Sequence, residues 1–116
     1  MKSGLSMFEL LCYAEKLPTP TPEFAFANTI GRKWRFDWAF IPQRVAVEQD
    51  GSIWTQGRHT RGAGYLKDIE KLNTATAMGW KVFRTTPSTL HLLTPFLREA
   101  LKCPHREGHG AGSVIT

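Results

Sequence analysis

The sequence predicts a single α/β domain, on three observations. Lys33 to Phe40 alternates strictly, with Trp34, Phe36, Trp38 and Phe40 on one side, which is the two-residue period of a strand. Tyr65 to Met78 instead spaces Leu66, Ile69, Leu72 and Thr76 at helical intervals, and a short apolar run, Trp80 to Arg84, follows directly. At 116 residues, 41% of them hydrophobic and 22% charged, the chain is long enough for one packed core and too short for most multidomain designs.

The elements follow in order. Ser3 or Ser6 caps a first helix whose stripe is Leu5, Phe8, Leu11 and Cys12, running to about Lys16. Pro18, Pro20 and Pro22 remove backbone donors and force an extended course, so 17–22 reads as a linker inside the domain. Glu23 to Ala27 forms a short edge strand, and Asn28 to Arg32 turns it back. Lys33–Phe40 and Arg44–Asp50 make a hairpin about Pro42-Gln43. Gly51 to Gly64, with the basic run Gly57-Arg58-His59-Thr60-Arg61-Gly62, reads as an irregular loop.

The Tyr65–Met78 helix stops at Gly79, and Trp80–Arg84 is a short strand of buried character. Thr86-Pro87 and Thr94-Pro95 each have the form of an N-cap followed by proline, which predicts two short helices. The domain therefore covers 1–102, and the glycine-rich 103–116 is a flexible tail.

The net charge of +5 is concentrated. Between Arg32 and Arg84 there are ten basic residues against five acidic, while the flanks balance, so a polyanionic partner, DNA first, competes with the plainer reading of a solubilising surface. Two cysteines, Cys12 and Cys103, give no disulfide framework and suit a reducing cytoplasm. No apolar run is long enough to cross a membrane, and none is expected to.

The hairpin sets up a conflict of charge. If Phe40 faces Val45 and Trp38 faces Val47, the apolar sides coincide and Asp37 falls opposite Glu48, where like charges repel unless a cation intervenes. That cation is either a divalent metal, for which hard oxygen ligands suit magnesium, or a neighbour such as Arg35, Lys33 or Arg44 in an ordinary ion-pair network.

The strings 33-KWRFDWAF-40, 45-VAVEQDG-51 and 79-GWKVFR-84 resemble the very-short-patch-repair endonuclease branch of the PD-(D/E)XK nuclease superfamily, and small phage-encoded nucleases of that type. The resemblance covers roughly residues 23 to 86. It implies a restriction-endonuclease-like αββαβ core with a mixed sheet and magnesium- or manganese-dependent hydrolysis of DNA phosphodiesters, with a role in DNA repair. By the same resemblance, Asp37 and Glu48 are the metal-holding acids and Gln49 offers its backbone carbonyl.

Two positions depart from the pattern. The motif lysine, two residues after the second acid, is Asp50, and the proline before the first acid is Phe36. Lys67 or Lys71 on the following helix are candidates to replace the lysine, Asp50 is a candidate third ligand, and His59 is a candidate general base or phosphate contact. Each also has a plain reading, as a loop histidine or a salt-bridged helix face. Arg35, Arg58, Arg61 and Lys67 are the expected phosphate contacts. Glu23 is a weaker candidate for an additional acid. Cys103, His105 and His109 lack a fourth ligand, so no zinc is expected.

The expectation is therefore a metal-dependent endodeoxyribonuclease, with a catalytically inactive DNA-binding module of the same fold as the alternative. A homodimer would suit cutting of both strands.

Overall fold

The computed structural model describes residues 6–50 and 63–102. They form a four-stranded mixed sheet with helices on both faces. The order is α1 (Met7–Ala14), β1 (Thr21–Ala25), β2 (Arg35–Phe40), β3 (Val45–Gln49), α2 (Ala63–Ala77), β4 (Lys81–Thr85) and α3 (Leu90–Ala100). In the sheet the strands lie β1-β2-β3-β4, with β1/β2 and β2/β3 antiparallel and β3/β4 parallel. A parallel neighbour needs a crossover, and α2 lies within it.

α1 starts where Ser6 and Glu9 exchange bonds: Ser6 Oγ accepts from the Glu9 N–H at 3.1 Å, and the Ser6 N–H donates to Glu9 Oε1 at 2.8 Å. Its stripe is the expected one among the described residues, with Phe8 and Cys12 buried and Leu11 packed beside them. β1 begins two residues earlier than the prolines suggest, because Pro22 sits on an edge strand where a missing N–H is tolerated. Gly31, at φ 78°, makes the turn into β2, and Arg44, at φ 57°, makes the turn into β3.

The hairpin register is the expected one, with Trp38 opposite Val47 and Phe40 opposite Val45. The alternation in β2 is not continuous, however. Trp38 and Phe40 join Phe8, Cys12, Val45, Val47, Leu90, Leu93 and Leu97 in a core under α1 and α3. Phe36, by contrast, belongs with Phe26, Ala39, Ala46, Ala75 and Trp80 in a second core under α2, with Trp34 packed against it. The chain changes face between Phe36 and Trp38, and Asp37 is the residue at the change.

Further expectations are corrected. α2 turns Lys71 and Ala75 toward the sheet, while Leu66 and Ile69 are 63% and 40% exposed, so the apolar spacing at its start does not mark the buried face. α3 is one helix running through Pro95, preceded by a single 3-10 turn at Pro87–Thr89 capped by Thr86, rather than two helices. Proline at 95 deprives the His91 carbonyl of its usual donor, and the buried Thr94 hydroxyl donates to that carbonyl instead, at 3.1 Å.

β4 is an edge strand: Trp80 just before it is buried as expected, but Lys81 and Arg84 are exposed, Val82 and Phe83 half-buried, and within the strand only Thr85 is buried. Gly79, at φ 92°, ends α2 as the sequence predicts. Ala39, Ala46 and Ala75 are fully buried between α2 and the sheet, and side chains this small let the helix approach closely. The proposed flexible tail 103–116 lies outside the described residues.

Candidate active site

One transverse row crosses all four strands. The pairs Pro22–Trp38 and Phe24–Phe36 bracket Glu23 and Asp37, which therefore lie level with each other on adjacent strands. The pair Trp38–Val47 places Asp37 across from Glu48, and Glu48 is itself aligned with Arg84. Three carboxylates and a guanidinium thus share one level of the sheet.

At this level, side chains bridge β2 and β3. Glu48 Oε2 accepts from the Asp37 backbone N–H at 3.1 Å, and Asp37 Oδ2 accepts from the Gln49 backbone N–H at 2.8 Å. Each acid is fixed by the other's strand. These bonds to backbone donors hold the two opposed acids in place.

Compensation for the repulsion of the two acids comes from Lys71, two turns into α2. Its Nζ donates to Glu48 Oε1 at 2.8 Å, each side chain being only 15% exposed, and lies 5.9 Å from the centre of the Phe36 ring. Of the two helix lysines proposed from sequence, Lys71 therefore reaches the acids. Lys67 is exposed and forms no ion pair among the described residues. Neither Arg35 nor Arg44 takes this place: Arg35 is 3.7 Å from Glu23 at the surface, and Arg44 Nη1 donates to the Met78 carbonyl at 2.6 Å, tying the hairpin turn to the end of α2.

Asp50 is not directed toward the pair. Arg84 holds it through two bonds, Nη2 to Oδ1 at 2.8 Å and Nε to Oδ2 at 3.4 Å, and also approaches Asp68 of α2 at 3.6 Å. The Asp50 hydrogen bond, chiefly, raises the Arg84 pKa above its ordinary value, against an opposing effect of partial burial. Arg84 was not legible as a site residue, since in sequence it is one cation within a strand. Its alignment with Glu48 depends on the parallel pairing of β3 and β4.

Arg58, His59 and Arg61 lie outside the described residues. Among the described residues, no three His, Cys, Asp or Glu side chains gather as a metal-holding group. Of the four carboxylate oxygens of this pair, Asp37 Oδ1 is the one with no hydrogen-bond partner among the described residues; Asp37 Oδ2 and both Glu48 oxygens accept from protein donors. The open apolar concavities beside Phe83 and Phe96, of about 530 and 580 Å³, are lined by none of Asp37, Glu48 and Lys71.

No protein-family model, curated protein or solved structure matches the chain. No described helix is long and apolar enough to cross a membrane.

Proposed function

We propose that this chain is a small metal-dependent endonuclease that hydrolyses DNA phosphodiester bonds, built on a restriction-endonuclease-like core of the PD-(D/E)XK kind. The observation that carries the reading is the facing pair Asp37 and Glu48, with a lysine from the crossover helix seated on the second acid. The two carboxylates and the Gln49 carbonyl would hold magnesium or manganese. A divalent ion held there supplies an activated water and neutralises charge developing on the phosphate.

The chain's own groups do the remaining work. The Asp37–Gln49 and Glu48–Asp37 backbone bonds hold the carboxylates in place before substrate arrives, so little reorganisation is needed at the moment of reaction. Lys71, arriving from α2, takes the role of the lysine that Asp50 displaces, orienting the attacking water and meeting the phosphate oxygen. Arg84 neutralises Asp50, so that this acid does not repel the backbone. Arg35 and Lys67, both exposed, contact flanking phosphates.

The inactive-module reading is favoured by one observation: both Glu48 oxygens already have donors. Incubation with plasmid and branched DNA in magnesium separates the two. Nicking by the unmodified chain, abolished in Asp37→Asn and Glu48→Gln while DNA binding persists, supports the nuclease. Full cleavage by either variant overturns the assignment, and binding without any cleavage by the unmodified chain leaves the inactive module.

A further inference from the structure

We infer that Arg32 and Arg84 are phosphate-gripping residues of the same DNA interface, each partly occupied by an acid of α2 that the nucleic acid backbone displaces; this rests on the nuclease reading above. The two arginines come from opposite sides of the sheet. Arg32 leads into β2 from the turn after β1, and Arg84 belongs to the far edge strand, β4. Arg32 pairs with Glu70 and Arg84 with Asp68.

Residues two apart on a helix lie on opposite flanks, and the next position, Lys71, falls between them on the inward side. The helix that brings Lys71 to Glu48 is thus clasped on both flanks at the level of the site.

The clasps are built to be exchanged. Side chains in both pairs are 43–49% exposed, a setting in which ion pairs are worth little and are screened by salt. A phosphate offers an arginine a forked, charge-assisted acceptor and releases counterions from DNA, which a protein carboxylate does not. Both guanidiniums are already oriented: Arg32 lies 4.4 Å over the Trp34 ring, and Arg84 is anchored at 2.8 Å on Asp50, with Asp68 the looser partner at 3.6 Å. Arg84 would therefore keep Asp50 and give up Asp68.

Thermodynamic cycles on DNA affinity test this, using the full chain, a short duplex and chelator so that no cleavage intervenes. Glu70→Gln and Asp68→Asn should each tighten binding by about 3- to 10-fold at low salt. Each gain should vanish when Arg32→Ala or Arg84→Ala, respectively, is already present. Gains that persist without the arginine would mean only a change in the general field, and would overturn the inference, as would the absence of any gain.

If Arg84→Ala fails to fold, the surface pair Arg32–Glu70 decides the matter alone. An unmodified chain that ignores DNA at low salt overturns the nuclease reading and this inference with it, whereas binding without coupling overturns this inference only.

Discussion

Lys71 on α2 and Glu48 on β3 are 23 positions apart in sequence and 2.8 Å apart in space, joined across the interface between helix and sheet. The contact relieves the repulsion between Glu48 and Asp37, and it depends on α2 being docked. A single amine therefore belongs both to the stability of the sheet and to the proposed chemistry.

Lys71→Met should destabilise the chain by about 2 kcal/mol, since it leaves a largely buried carboxylate without its cation. Adding Glu48→Gln should restore part of that loss, because the charge is then gone, while DNA cleavage stays absent in both variants. Chemical denaturation at neutral pH measures the first effect and a nicking assay the second.

Cys12 is 1% exposed, and burial, with a smaller contribution from Glu9, pushes its thiol up to about 11 from 9.0. The folded state therefore holds this proton more tightly than the unfolded state does. Its contribution to stability is complete below pH 9 and is lost as pH rises toward 11. Denaturation midpoints should fall across that window in the natural chain and fall less in Cys12→Ala, and a thiol reagent at pH 8 should label Cys12 only after unfolding.

Glu23 occupies the left-handed region, at φ 52°, within β1. A side chain there costs roughly 1 kcal/mol, and the Arg35 contact at 3.7 Å is too exposed to offset it. Glu23→Gly should raise the melting temperature by a few degrees, and Glu23→Val should lower it. A lower melting temperature for the glycine variant would show that the conformation is not strained.

Lys67→Ala and Arg35→Ala should each weaken DNA binding across all sequences and reduce the slope of log affinity against log salt by about 1. A titration series in sodium chloride with chelator present measures both. An unchanged slope would remove that residue from the interface.

Much of this arrangement was legible because hairpin register follows from side-chain pattern. The demand that Val45 and Val47 be buried with Phe40 and Trp38 is enough to place Asp37 across from Glu48. Ser6, Pro42 and Gly79 were legible for a similar reason, since caps and turns require particular backbone chemistry. The change of face at Asp37 was not, because unbroken alternation from Trp34 to Phe40 is also what a regular strand would show.

The orientation of α2 does not follow from its apolar spacing, for a physical reason. Its sheet-facing side is selected by an ion pair and a small residue, Lys71 and Ala75, not by its larger apolar side chains. The Asp50–Arg84 pair follows only from the parallel β3/β4 alignment, since the two stand 34 positions apart with a helix-bearing crossover between them.

The three buried alanines between α2 and the sheet have a wider consequence. They act as shims whose thickness sets how far the crossover helix stands off the strands, and hence whether a lysine can stretch down to its acid. An added methyl or two at Ala39, Ala46 or Ala75 would lift that helix and lengthen the reach while every ionic group stayed the same. Evolution could in this way retune the chemistry from beneath, through bulk alone.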